Sequence, residues 1–283
     1  MRVRLLAVLV TLLLGGCTGL IFQPMRQHVL TPAEVGVEAR DVWFRAGDGT
    51  RLHAWFLPAK GEPRGTVLFL HGNAENVSTH IGSVYWMPDY GYQVFLFDYR
   101  GYGHSDGRPS LAGLQMDFAA ALQHVSAMPE VDPERVIVFG QSMGGATAVS
   151  GLARAPARTQ VRALVVEGAP SSYRSLAREL LSEWWLTWPL QWPLSLTISD
   201  EFRPLDAVDD ISPVPLLVVH SRDDQIIPPH HGEALYEAAR EPKTLWLVDG
   251  ARHIAVFTRK EQRERLITWL SEQLANDAPP RQP

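Results

Sequence analysis

The stretch Gly140-Gln141-Ser142-Met143-Gly144 constrains this chain more than any other. Before it stands Arg135-Val136-Ile137-Val138-Phe139, a β-branched and aromatic run that reads as a buried strand. After it stands Gly145-Ala146-Thr147-Ala148-Val149, small residues suited to a helix packed close to a sheet. Only a sharp strand-to-helix turn joins the two. A serine in this G-x-S-x-G context occupies a strained elbow that holds its hydroxyl out above the sheet. The flanking glycines remove Cβ atoms that would clash at so tight a bend.

Other stretches share that setting. Val67-Leu68-Phe69-Leu70 reads as a strand running into His71-Gly72-Asn73-Ala74, and Leu216-Leu217-Val218-Val219-His220 as one running into Ser221-Arg222-Asp223-Asp224-Gln225-Ile226-Ile227-Pro228. Thr244-Leu245-Trp246-Leu247-Val248 makes a last strand before Asp249-Gly250-Ala251-Arg252-His253. All four features fall at the carboxyl ends of strands, where open parallel sheets place their ligands. With Asp98-Tyr99-Arg100-Gly101-Tyr102-Gly103 and the Gly144-Gly145 pair, these motifs resemble the α/β-hydrolase superfamily of serine hydrolases over about residues 40 to 275. The branch they resemble includes acyl-protein and lysophospholipid hydrolases. The resemblance implies an α/β fold with a mostly parallel central sheet covered by helices on both faces, and the chain order nucleophile, acid, histidine.

Under that order Ser142 is the nucleophile, and it needs a base within hydrogen-bond reach. His253, in the loop after the last strand, is the candidate base. The acid must hold the imidazole in its reactive tautomer. Asp223 and Asp224 compete, and the Asp-x-x-Ile-Pro spacing of the family selects Asp224, leaving Asp223 to face solvent or cap the turn. Asp249 and Glu167 are more distant alternatives. Charge on the substrate oxygen calls for backbone N–H donors. The resemblance assigns these to Met143 and to the His71-Gly72-Asn73-Ala74 turn, at the Asn73 amide. His71 itself reads as structural, and the Asp98–Ser105 motif as shaping the loop beside the pocket. Adjacent His230 and His231 should point apart at a helix start, without a carboxylate or cysteine at suitable spacing. No metal and no cofactor are expected.

At 283 residues with 46% hydrophobic content, the chain suits one large α/β domain. A net charge of −5 argues against a nucleic-acid partner. Its only cysteine, Cys17, rules out an intrachain disulfide. Met1-Arg2-Val3-Arg4 is a basic start, Leu5 to Leu14 an apolar run of signal-peptide length, and Leu14-Gly15-Gly16-Cys17 resembles a bacterial lipobox. That implies a lipoprotein signal peptide over residues 1–16, lipid such as palmitate on Cys17, and a membrane-anchored enzyme facing the periplasm or exterior. The rival is an uncleaved anchor, since Leu5 to Phe22 nearly suffices to span a bilayer.

Residues 17–39 read as a tether and 40–275 as the hydrolase domain, followed by a tail over 276–283. Asp41 to Ala46 and Arg51 to Leu57 should form a hairpin, residues 76 to 87 a helix, Leu111 to Met128 an amphipathic helix, and 230 to 240 and 258 to 275 two more. Residues 171–204 break the rhythm. There Trp184, Trp185, Trp188 and Trp192 are interrupted by Pro189 and Pro193, which preclude one continuous helix. The resemblance implies a cap over the active site, its tryptophans contacting substrate; the bland reading is that they pack a short helical excursion. The expected activity is hydrolysis of a carboxylic ester or thioester with an apolar, lipid-like acyl part through an acyl-enzyme. The alternatives are a peptidase or amidase on the same triad, lyase or perhydrolase chemistry, and a non-catalytic lipoprotein of this fold.

Overall fold

The computed structural model describes residues 21–156, 160–183 and 185–275. The signal peptide, Cys17, Trp184 and the tail over 276–283 lie outside the described residues. Among the described residues no helix is long and apolar enough to cross a membrane.

Arg40–Arg45 (β1) and Arg51–Leu57 (β2) pair antiparallel across the Gly47-Asp48-Gly49 turn. Six further strands follow: Gly65–Leu70 (β3), Tyr92–Phe97 (β4), Val136–Gln141 (β5), Val161–Glu167 (β6), Leu216–Ser221 (β7) and Lys243–Val248 (β8). They form one eight-stranded sheet in the order β8-β7-β6-β5-β3-β4-β2-β1. From β4 to β8 every neighbouring pair is parallel, and only β2 and β1 run against their neighbours. β3 lies between β4 and β5, so the chain reverses its direction of winding there. The loops leaving β3 and β5 therefore open a crevice at a topological switch point, where open sheets bind ligands.

Alternate residues of these strands serve opposite faces. Val67, Phe69, Ile137, Phe139 and Val165 pack against Lys260–Ala275 (α6) through Leu266, Trp269 and Leu270. Leu68, Leu70, Val138, Leu164 and Val166 face Leu111–Ser126 (α1) and Met143–Arg154 (α2). Burial on both faces explains why the central strands read as continuous apolar runs rather than alternating ones. Tyr173–Ser182 (α3) and Gln191–Ser195 (α4) lie between β6 and β7, and His230–Ala238 (α5) packs beside β7 and β8.

Two segments differ from the sequence expectation. Residues 76–87 do not make one helix: Val77–His80 is a single helical turn, and Ile81–Ser83 and Met87–Tyr90 are 3-10 turns. Gly82 weakens the middle of that span and Pro88 opens a new turn. The second is the tether, which is docked from residue 21 onward. Phe22 is buried, Gln23–Pro24 pairs with Ala74–Glu75, and Asn76 donates to the carbonyls of Met25 and Gln27.

Candidate active site

The elbow is built from close backbone approaches. A Cβ on Gly140 would stand 2.5 Å from the Gly144 carbonyl oxygen, one on Gly144 would overlap the Leu70 carbonyl, and one on Gly145 would lie 2.8 Å from Ala169 Cβ. Each glycine is thus demanded by a neighbour in space. Ser142 takes φ 54° and ψ −120°, a conformation that costs a non-glycine residue about 1–3 kcal/mol. Its amide donates to the Glu167 carbonyl at 2.9 Å, which fixes the bend. Met143 is the first residue of α2, so its N–H has no partner within the helix.

His253 Nδ1 faces Asp224 Oδ2 at 2.6 Å. The other carboxylate oxygen, Oδ1, accepts from the amides of Ile226 and Ile227, both at 2.9 Å. The Asp-x-x-Ile-Pro spacing is therefore a turn folded around its own carboxylate. Burial opposes ionisation of Asp224, but hydrogen bonds from His220, His253 and the Ile227 amide outweigh it, holding the carboxyl below the usual range. Asp223 instead accepts from the Gly250 amide and ties this loop to the one after β8. Elbow and pair meet at one strand end. Glu167 holds Ser142 through its carbonyl, while a Cβ on the next residue, Gly168, would lie 3.2 Å from both Cε1 and Nδ1 of His253.

The loop after β3 borders the elbow, with the Gly72 Cβ position 3.6 Å from Ser142 Cβ. The Asn73 side chain is committed elsewhere. Its amide nitrogen donates to the Ile21 carbonyl at 2.5 Å, and its oxygen accepts from the Gln23 amide and the Tyr102 hydroxyl. Only the Asn73 backbone is left for a substrate. His71 is structural in its contacts: Nδ1 donates to the Gly72 carbonyl at 2.7 Å, and burial with His80 alongside pushes it down to about 3. The Asp98–Ser105 motif shapes its loop. Arg100 forks onto Asp117 of α1 and Asp48 of the hairpin turn, and a Cβ on Gly103 would collide with the Asp98 carboxylate.

Sequence reasoning missed a network beneath Ser142 and His253. Gln141, just before Ser142, donates through Nε2 to Glu167 Oε2 at 2.6 Å. Glu167 Oε1 accepts from the Val256 amide at 2.9 Å and so steadies the chain three residues past His253. Burial pushes Glu167 up to about 6 despite hydrogen bonds from Gln141 and Val256. The signal available was Glu167-Gly168 directly after the apolar run Ala163-Leu164-Val165-Val166, beside the elbow.

The cap tryptophans are not gathered into a closed wall. Trp185, Trp188 and Trp192 are 84%, 60% and 61% exposed. Pro189 and Pro193 break the excursion into a 3-10 turn, Trp188–Leu190, and the five-residue α4, pieces too short to enclose their own aromatic surface. His230 and His231 do not point apart, and a carboxylate does reach them. Their rings stack with centroids 4.5 Å apart and both face Glu179 of α3, at 3.4 and 3.1 Å. Glu179 is distant in sequence, so local spacing could not reveal it. A second cluster, His28, His53 and His104, gathers its ring nitrogens within 4.8 Å of one another. His28 and His53 also contact the buried Asp98, which pins the N-terminal segment to β2 and the 98–105 loop.

The sequence model of the serine aminopeptidase S33 family matches residues 61–202, from β3 through the elbow and the cap. The uncharacterized protein YfhR of Escherichia coli K12 is 36% identical over 239 residues, covering 82% of this chain and 80% of that protein. The chain belongs to this α/β-hydrolase family. The α/β-hydrolase domain-containing protein WAV2 of Arabidopsis thaliana is 34% identical over 255 residues, covering 87% of this chain and 78% of that one. Among solved structures, an esterase of Pyrococcus furiosus, Pf2001, superposes with a TM-score of 0.69 at 23% identity, over 90% of this chain and 96% of that one. This α/β-hydrolase is accordingly a hydrolase, with the fold of known esterases.

Proposed function

We propose that this hydrolase is a serine enzyme cleaving carboxylic esters or thioesters of an apolar acyl group. One observation carries the reading: the strained Ser142 elbow meets, across Glu167-Gly168, a histidine held at 2.6 Å by a buried carboxylate. Because Asp224 engages Nδ1, His253 keeps Nε2 for the nucleophile. Nε2 takes the hydroxyl proton as Ser142 Oγ bonds to the acyl carbon, and returns it to the departing alkoxide or thiolate as that bond breaks. Water, deprotonated by the same nitrogen, then releases the acid from the acyl-enzyme. The N–H groups of Met143 and Asn73 face the developing oxyanion. No cofactor takes part. The same reading places the enzyme at the cell envelope, with a leader cleaved before Cys17 and lipid on that cysteine.

The family's own description favours a second reading, an aminopeptidase. Such an enzyme must meet a substrate ammonium group with a carboxylate. Glu167 is buried and already accepts from Gln141 and Val256, Asp223 accepts from Gly250, and Asp249 is exposed beside Arg222, so none of these three is a buried, unpaired carboxylate. A chain-length series of p-nitrophenyl esters and acyl thioesters, run beside aminoacyl anilides, tests the choice. Esters should turn over and anilides should not; preferential anilide cleavage would assign the site to the peptidases.

A further inference from the structure

Exposed apolar surface is concentrated on one part of this molecule. Among the described residues, Leu180, Trp185, Leu186, Trp188, Leu190 and Trp192 are all exposed large hydrophobics in the stretch from α3 through α4. Ile226, in the turn around Asp224, is 52% exposed on the same carboxyl-end side of the sheet. Isolated exposed apolar residues are ordinary, but a contiguous cluster rich in tryptophan marks a surface that binds something. Its chemistry is that of an interface rather than of an interior. Indoles combine an apolar body with a polar N–H and collect where hydrocarbon meets water. Arg178 lies over the Trp192 ring at 4.6 Å, so a cation stands beside the apolar cluster.

The N-terminal chain says what covers this surface. The described chain begins at Ile21, whose carbonyl accepts from Asn73 in the loop after β3. Cys17 is four residues upstream, a span of at most about 14 Å even when fully extended. A lipid on Cys17 would therefore bring the bilayer to the carboxyl ends of the strands, the side that carries Ser142, the cap and Ile226. We infer that the cap surface around Trp185, Trp188 and Trp192 docks on the lipid bilayer, so that the catalytic crevice faces the membrane and takes a lipid-borne acyl substrate from it. The inference rests on the reading of Cys17 as the lipidated residue. A single anchored end leaves a domain free to turn, and docking of the cap supplies the second contact that stable, oriented attachment needs.

The test uses the full chain, processed in a bacterial host and reconstituted into phosphatidylethanolamine and phosphatidylglycerol vesicles. Phosphatidylcholine with brominated acyl chains serves as the quencher. Flotation reads the anchor, and quenching of tryptophan emission reads docking. The wild type should float and be quenched. The variant Leu186→Asp/Leu190→Asp keeps every tryptophan; it should float equally, melt at the same temperature and lose most of the quenching. Trp185→Phe/Trp188→Phe/Trp192→Phe should lose it too, which assigns the signal to the cap. Flotation without quenching, or quenching untouched by the aspartates, would overturn the docking while leaving the anchor intact. Failure to float would overturn the anchor, and the docking with it. A dimer that dissociates on the aspartate substitutions, with no quenching, would put a second copy of the chain on this surface and overturn the bilayer as its occupant.

Discussion

Asp223 and Asp224 are adjacent in the chain and hold two different partners: Asp224 Oδ2 meets His253 Nδ1 at 2.6 Å, while Asp223 accepts from the amide of Gly250. One carboxylate orients the imidazole and the other ties together the loops that carry both. Asp224→Asn would present an amide to Nδ1 and favour the wrong tautomer, so kcat should fall by about 10⁴. Asp223→Asn keeps an oxygen for Gly250 and should cost less than tenfold, about 1 kcal/mol in the barrier at most. Steady-state kinetics on one ester compares them, and a larger loss at Asp223 would reverse the assignment.

Glu167 makes stability depend on pH in a particular direction. Burial pushes its carboxyl up to about 6 in the folded chain, above the 4.5 of a free glutamate, so the folded state holds this proton more tightly. Stability from this group is therefore highest below 4.5, falls as pH rises through 6, and is lower by about 2 kcal/mol above that. Glu167→Gln removes the titration. Gln141 Oε1 is buried without a partner, and a turned Gln141 amide can accept from the new side chain. Denaturant unfolding of both proteins from pH 4 to 7 should show wild-type stability falling relative to the variant; a constant difference would contradict the account.

Gly168 stands at φ 60°, and a Cβ there would lie 3.2 Å from the imidazole and 3.4 Å from Asp224 Oδ2. Gly168→Ala should strain the backbone by about 1–2 kcal/mol. By displacing His253, it should also lower kcat by about 10²-fold with little change in KM. A fall in thermal stability without a fall in kcat would show that the imidazole tolerates the methyl group.

Much of this site is legible in sequence because its parts are local. The elbow glycines, the Asp224 turn closed by its own Ile226 and Ile227 amides, and the runs of β-branched residues all carry their physics within a few positions. The rest depends on residues far apart. Gln141 meets Glu167 only because β5 and β6 pair in that register. Glu179 reaches His230 and His231 across 51 and 52 positions. The docking of residues 21–28 combines a buried Phe22, side-chain contacts of Arg26 and His28 to the 98–107 loop, and the backbone carbonyls of Ile21, Met25 and Gln27, all with partners about 50 or more positions away. The exposure of the cap tryptophans follows from how two prolines divide a helix, and composition alone does not tell a covered indole from an uncovered one.

If Ser142 is the activated nucleophile, an electrophile should bond to it covalently. The folded chain is treated with a fluorophosphonate and the adduct located by peptide mass spectrometry, beside Ser142→Ala and His253→Ala. One adduct is expected, on Ser142, absent in Ser142→Ala and formed far more slowly without His253. An adduct on another serine, or labelling at the wild-type rate in His253→Ala, would contradict it.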